Sequence, residues 1–229
     1  KNAVDIQSLW LEAARLMEDS REKRLEKGLQ QFEDGNHIRD EIEDGAETIN
    51  PAVPIMFDQF DSKITEKQLE KINGEFSSRF GARTRSAVDP GYESDGYHTG
   101  STWGLTTAWA AAANLRNEKK QQGENFLQNM EMFLDRNQPG ALPEVVDSES
   151  GDLLGCTEQA WSAGLFVHVV DTYLLGIKVH EDYVEVDPCK GVNAERLGKR
   201  IRDEKLDLEI NNGEVTVLND PDLDIKVKN

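Results

Sequence analysis

Three short stretches hold the side chains best suited to chemistry. Tyr97, His98 and Trp103 cluster with Thr99, Ser101 and Thr102. Leu142-Pro143-Glu144 sets a carboxylate just before Asp147, and Glu158-Gln159-Ala160-Trp161 supplies an amide and an indole. An aromatic face beside hydroxyl, imidazole and amide groups is what a sugar ring needs: an apolar platform and directional hydrogen bonds. Asp147, Glu149 and Asp152 around Gly151 have the wrong oxygen-ligand register for an EF-hand calcium loop and read as a solvated acidic turn, so no metal is expected.

Two units of one design must position these residues. Each is a polar loop followed by a buried helix: Phe80 to Leu115 and Gln138 to Leu175. In the first, a loop dense in Arg83, Arg85, Asp89, Tyr92, Glu93 and Asp95 leads into Ser101 to Leu115, whose alanines (Ala108, Ala110 to Ala113) let neighbouring helices approach closely. In the second, Thr157 to Leu175 reads as an apolar helix with Thr157 as N-cap and Gly176 as its stop. Three further helices are expected. Val4 to Gly28 is one long helix with Ile6, Leu9, Trp10, Ala13, Ala14, Leu16 and Met17 at three-four spacing and a charged solvent face from Arg21 to Lys27. Thr65 to Phe76 opens on a capping box of Thr65 and Gln68, and Arg116 to Asn137 presents Phe126, Met130, Phe133 and Leu134. Gln31 to Asn50 reads as short extended segments or a loop. After Gly176 the text alternates, at Ile177–Val186, Lys205–Ile210 and Glu214–Leu218, with Asn211-Asn212-Gly213 as a hairpin turn, which predicts a small antiparallel β-unit over residues 177–229.

The chain of 229 residues carries 44 acidic and 26 basic side chains, a net charge of −18. Such a field repels polyphosphates and anionic lipid heads, which argues against nucleic acid and membrane surfaces as partners. No apolar run approaches the roughly 20 residues of a membrane span, and no signal-peptide core is present, so the expected location is cytoplasmic. The two cysteines, Cys156 and Cys189, are expected to be free thiols.

Phe80-Gly81-Ala82-Arg83-Thr84-Arg85-Ser86, Asp89-Pro90-Gly91-Tyr92, Tyr97-His98-Thr99-Gly100-Ser101-Thr102-Trp103, Leu142-Pro143-Glu144-Val145 and Gln159-Ala160-Trp161-Ser162 occur in an order and spacing that resemble the amylo-alpha-1,6-glucosidases, the glucosidase half of glycogen debranching enzymes. The resemblance covers about Val4 to Gly176. It implies a mainly α fold, an (α/α)6 barrel of the glucoamylase-like clan, and an inverting hydrolysis of α-1,6-glucosidic bonds without an organic cofactor. The substrate would be an α-glucan such as glycogen, a limit dextrin or a malto-oligosaccharide.

On the matching position Glu144 is the general base, with Tyr97, His98, Trp103, Gln159 and Trp161 as sugar contacts. Inversion needs a second carboxyl group roughly 6.5–9.5 Å from the first. The family's general acid lies in an earlier segment that no stretch here matches, and the resemblance calls for twelve helices where the periodicity shows about five. Residues 1–176 therefore read as the C-terminal half of a barrel, residues 177–229 as its β appendage, and the N-terminal half of the same enzyme as a required partner. By itself the chain is expected to hydrolyse no α-glucan. Asp5, where relatives usually carry glutamate, departs from the pattern. Two rivals stand beside this reading: another (α/α)6 glycosidase of glucoamylase or trehalase type, and a non-catalytic glucan-binding or assembly half-barrel.

Overall fold

The computed structural model describes residues 3–43, 45–136 and 138–228. The chain forms two compact units, residues 1–166 and 167–229, and the division falls inside the last helix, ten residues before the Gly176 stop.

Unit 1 contains the first six of the seven α-helices found among the described residues, and the start of the seventh. The expected long first helix is two: α1 (Val4–Leu16) and α2 (Glu22–Leu29). Glu18 adopts a left-handed conformation, and the Asp19 carboxylate accepts the Arg21 N–H at 2.8 Å, so a short polar side chain outcompetes the helical ladder at the joint. The segment after α2 is irregular, as its acidic and turn residues suggest. A helix not foreseen, α3 (Ala52–Met56), starts within the proline run, because Pro51 and Pro54 occupy the cap and first turn, where the missing N–H is no loss.

The next helix, α4 (Ser62–Lys71), begins three residues before the expected capping box. Its cap is Asp61, which accepts from the N–H groups of Lys63 and Ile64, while Thr65 and Gln68 are buried inside the helix. Gln68 serves the core instead, taking the Ile38 N–H at 3.0 Å.

Two short ladders frame the polar loops. Strands β1 (Ser77–Ser78) and β2 (Gly81–Ala82) pair antiparallel, as do β3 (Thr102–Trp103) and β4 (Val145–Val146). Pairing with β4 holds Thr102 and Trp103 extended, so the alanine-rich helix α5 (Gly104–Arg116) starts later than its composition predicts. All five of its alanines are fully buried, against α3 on one side and α6 (Lys120–Glu131) on the other. The α6 helix is shorter than expected at both ends, and Asn137, its expected end, lies outside the described residues. Phe32, Phe76, Leu11, Leu29, Ile49, Ile55, Leu69 and Ile72 fill the core of this unit. The last helix, α7 (Ala160–Val169), begins after Thr157 rather than at it.

In unit 2 a wide π-type turn, Val170–Leu174, ends at Gly176, whose φ of +65° and the Asp187 carbonyl oxygen pressed against the place a Cβ would take admit only glycine. Strands β5 (Ile177–Val179) and β6 (Val184–Val186) pair antiparallel. A second sheet holds β7 (Ala194–Ile201), β8 (Glu204–Asn211) and β9 (Glu214–Val217), with Asn212 and Gly213 both at positive φ in the expected hairpin. Leu206, Leu208 and Ile210 alternate inward. The tail is not wholly antiparallel: β10 (Ile225–Val227) returns beside β6 in parallel, a long-range pairing that no local pattern encodes. With ten strands beside seven helices among the described residues, the expected mainly α class is too simple, because the short ladders and the tail are structural members of their own. No helix among the described residues is long and apolar enough to cross a membrane.

Candidate active site

The β3–β4 ladder brings the two polar loops together. Its register sets Trp103 opposite Val145, so the start of α5 stands beside Glu144. A second clasp fixes Glu144 from the other side: its N–H donates to the Cys156 carbonyl at 3.0 Å, and the Cys156 N–H returns a bond to Glu144 Oε2 at 3.3 Å. Between them the chain turns on Asp147, whose Oδ1 accepts the N–H groups of Glu149 and Ser150. The acidic run is thus a hydrogen-bonded turn, and no group of three His, Cys, Asp or Glu among the described residues is placed to hold a metal. Ser94 Oγ to Asp147 Oδ2 and Tyr92 Oη to Ser148 Oγ tie the same turn to the first loop.

The Tyr97 phenol donates to Glu144 Oε1. This bond holds the Glu144 carboxyl below its ordinary value, with the Cys156 N–H adding to the effect, and it raises the Tyr97 phenol in turn. Glu144 is therefore ionised at neutral pH, the state a general base requires.

Around it stand the other expected residues. The Tyr97 and Trp103 rings meet edge to face at 4.6 Å between centroids, Tyr97 and His98 likewise at 4.8 Å, and His98 stacks on Trp103 at 5.6 Å. Trp161 lies 6.2 Å from Trp103. Their exposures differ: Trp103 is 5% accessible, against 45% for Trp161 and 48% for Tyr97. Gln159 stands just before α7. Its N–H donates to the Leu142 carbonyl at 2.8 Å, and its Oε1 takes the Ala160 N–H, so its backbone fastens the helix start to the Glu144 loop.

The sequence assigns no role to three supporting residues, although Ser101 and Ser162 lie inside its motifs. Ser162 Oγ donates to the Pro143 carbonyl at 2.9 Å, Ser101 Oγ to the Tyr97 carbonyl at 3.0 Å, and the Cys156 backbone holds the carboxylate. A serine or a backbone amide acquires such a role only through its neighbours in space. Glu144 borders a small cleft walled mainly by Phe80, Met130, Phe133, Leu142, Pro143 and Val146, which gives the loop an apolar backing.

The family model for amylo-alpha-1,6-glucosidase matches residues 48–168, more than half of the chain and all of the residues just described. The chain belongs to the amylo-alpha-1,6-glucosidase family. The match is narrower than the Val4 to Gly176 span that the motifs suggest.

No curated protein sequence matches the chain. Among solved structures, a sialidase superposes on 95% of this chain with a TM-score of 0.71 and 14% identity. A GH63 mannosylglycerate hydrolase from Thermus thermophilus, in complex with glucose, covers 72% with a TM-score of 0.60 and 16% identity. An uncharacterized conserved protein from the same organism covers 72% with a TM-score of 0.58 and 16% identity. At these identities the likeness is one of fold. The chain spans 25% of the first of these proteins, 47% of the second and 46% of the third. Family and fold together support a glycoside-hydrolase type of function for this amylo-alpha-1,6-glucosidase family member.

Proposed function

We propose that the chain is the C-terminal part of an inverting α-glucan glucosidase that cleaves α-1,6-glucosidic bonds in glycogen, a limit dextrin or a malto-oligosaccharide, with Glu144 as general base. The observation that carries this reading is the ionised Glu144 carboxylate, held by Tyr97 and Cys156 inside the family-matched segment. In the reaction a Glu144 oxygen takes a proton from water as the water oxygen bonds to the anomeric carbon. The glucosidic bond breaks on the opposite face, and the leaving oxygen receives its proton from a carboxylic acid roughly 6.5–9.5 Å away. That acid comes from a part of the enzyme outside this chain. The exposed face of Trp161 serves as the sugar platform, with His98 and Gln159 bonding hydroxyls. No cofactor enters this chemistry, and the thiols of Cys156 and Cys189 fit a cytoplasmic setting.

The N-terminal half of the enzyme has a surface to meet. Helix α1 is apolar on two sides: Val4, Leu11 and Ala14 face the core, while Ile6, Leu9, Trp10, Leu16 and Met17 form an opposite stripe that is solvent-exposed, with Trp10 57% and Leu16 79% accessible. Five large apolar side chains on one exposed face form a patch of the kind that marks an interaction surface. It suits helices supplied by the rest of a complete glycosidase domain, since the chain covers less than half of each structure it superposes on.

Glu144→Gln keeps size and loses the base. In the complete enzyme turnover on an α-glucan falls by about 10²–10⁴, with little change in KM. Near-normal turnover in that variant rejects the assignment. The non-catalytic glucan-binding reading predicts no turnover in either form.

A further inference from the structure

We propose that Trp103 is a positioning residue that fixes the Glu144 carboxylate through Tyr97, and is not a surface on which sugar stacks. The inference rests on the reading of Glu144 as general base. A stacking platform needs an open ring face, and Trp103 has none: it is 5% accessible, His98 lies parallel to it at 5.6 Å, Tyr97 meets it at 4.6 Å and Trp161 at 6.2 Å.

Its one polar atom is spent on Tyr97. Trp103 Nε1 donates to the Tyr97 carbonyl at 2.9 Å and to Ser101 Oγ at 3.0 Å, and Ser101 Oγ donates to the same carbonyl at 3.0 Å. Tyr97 thus has its backbone pinned by two donors and its ring set edge to face against both His98 and Trp103. These contacts aim a half-exposed phenol at Glu144 Oε1. The backbone of Trp103 acts on the other end of that bond, because the β3–β4 register sets it opposite Val145, next to Glu144. One residue therefore anchors donor and acceptor alike. A phenol held this way needs no reorganisation to keep the carboxylate ionised and correctly turned, which is the condition for an effective base.

The Tyr97 bond is also the largest influence lowering the Glu144 carboxyl, and the titratable side chains that bear on Glu144 among the described residues are Tyr97 and Cys156. Loosening the brace should therefore let the carboxyl rise toward its ordinary value.

The test is a carbonyl-carbon NMR titration of Glu144 in the 229-residue chain, joined to the pH profile of kcat in the complete enzyme. The variants are Tyr97→Phe, Trp103→Phe, Ser101→Ala and the double variant Tyr97→Phe/Trp103→Phe. Trp103→Phe and Ser101→Ala are expected to raise the Glu144 midpoint in the same direction as Tyr97→Phe, with the double variant no further displaced than Tyr97→Phe alone. In the complete enzyme the acid limb of kcat moves up and kcat falls about tenfold, less than the ~10² or more of losing the base itself, with KM within twofold. If Trp103→Phe fails to fold, Ser101→Ala decides.

An unmoved Glu144 midpoint in a folded Trp103→Phe or Ser101→Ala variant overturns the proposal. So does a rise in KM with kcat unchanged, the mark of a sugar platform. A shifted midpoint in an enzyme that hydrolyses no glucan upholds the brace and rejects the glucosidase reading instead.

Discussion

Gly155→Ala probes the seating of Glu144 without touching the carboxylate. Gly155 does not lie at positive φ, so alanine brings no backbone strain, only a methyl group. That methyl would sit 2.6 Å from Glu144 Oε2 and 2.7 Å from Val145 Cγ1, where ordinary contact begins at 3.4 Å. The easier relief is rotation of the carboxylate, the free end of a side chain, by about 0.8 Å; this also strains the Cys156 N–H bond to Oε2. A misplacement of about 1 Å at a reacting group costs roughly 10²-fold in rate. At 1.36 kcal/mol per decade this is about 2.7 kcal/mol of transition-state stabilisation. The stability cost is smaller, about 1 kcal/mol, the low end for overpacking, because the shortest of the three contacts is to a movable atom and the third, Glu144 Cβ at 3.2 Å, is only slightly tight. Steady-state kinetics on an α-glucan with the complete enzyme, beside thermal melts of the same preparations, separate the two effects. A kcat within twofold of wild type in a folded Gly155→Ala enzyme refutes the claim that the close packing of Gly155 seats the base.

Asp171→Asn tests the β-unit, where a carboxylate only 4% exposed is paired with Arg196 at 2.6 Å and Lys199 at 2.8 Å. Burial pushes the Asp171 carboxyl up, but Arg196 and Lys199 together hold it below its ordinary value. The stabilisation is therefore full above the unfolded-state value of about 3.9 and is lost as pH falls through the lower folded-state value. Because both cations are about one-quarter exposed and can rehydrate, the expected loss at pH 7 is about 2 kcal/mol, below the ~3–5 of a fully buried pair. Hydrogen exchange across β7 and β8 should show it, and a gap that persists undiminished at pH 3 contradicts the mechanism. Trp161→Ala should weaken maltose binding by about 1–3 kcal/mol, read by titration calorimetry, while unchanged affinity returns the indole to a packing role. In a Cys156→Ser background, Trp10→Cys should react readily with a maleimide in the 229-residue chain and slowly in the complete enzyme. Equal rates in both argue against helices docking on α1.

Local chemistry made much of this protein legible in its sequence. The alanines of α5 announce a buried helix because small side chains are useful only where backbones approach. Asn212-Gly213 announces a hairpin because both residues accept positive φ. The loop-then-helix texture around Tyr97, Glu144 and Gln159, with its family motifs, picks out in sequence residues that the structure brings together.

What the tertiary structure alone decided depends on partners far along the chain. Thr102 and Trp103 leave the helix for a strand because Val145 and Val146 are there to pair with them, and β10 lies parallel to β6 for the same kind of reason. Helix α1 shows an apolar stripe in sequence, but only its packing reveals that Val4 and Leu11 face inward while Trp10 and Leu16 face out. Trp103 and Trp161 look equivalent as text. One is a buried indole whose Nε1 is bonded to the Tyr97 carbonyl, the other a half-exposed ring, since accessibility and hydrogen-bond partners belong to the assembled surroundings and not to the residue.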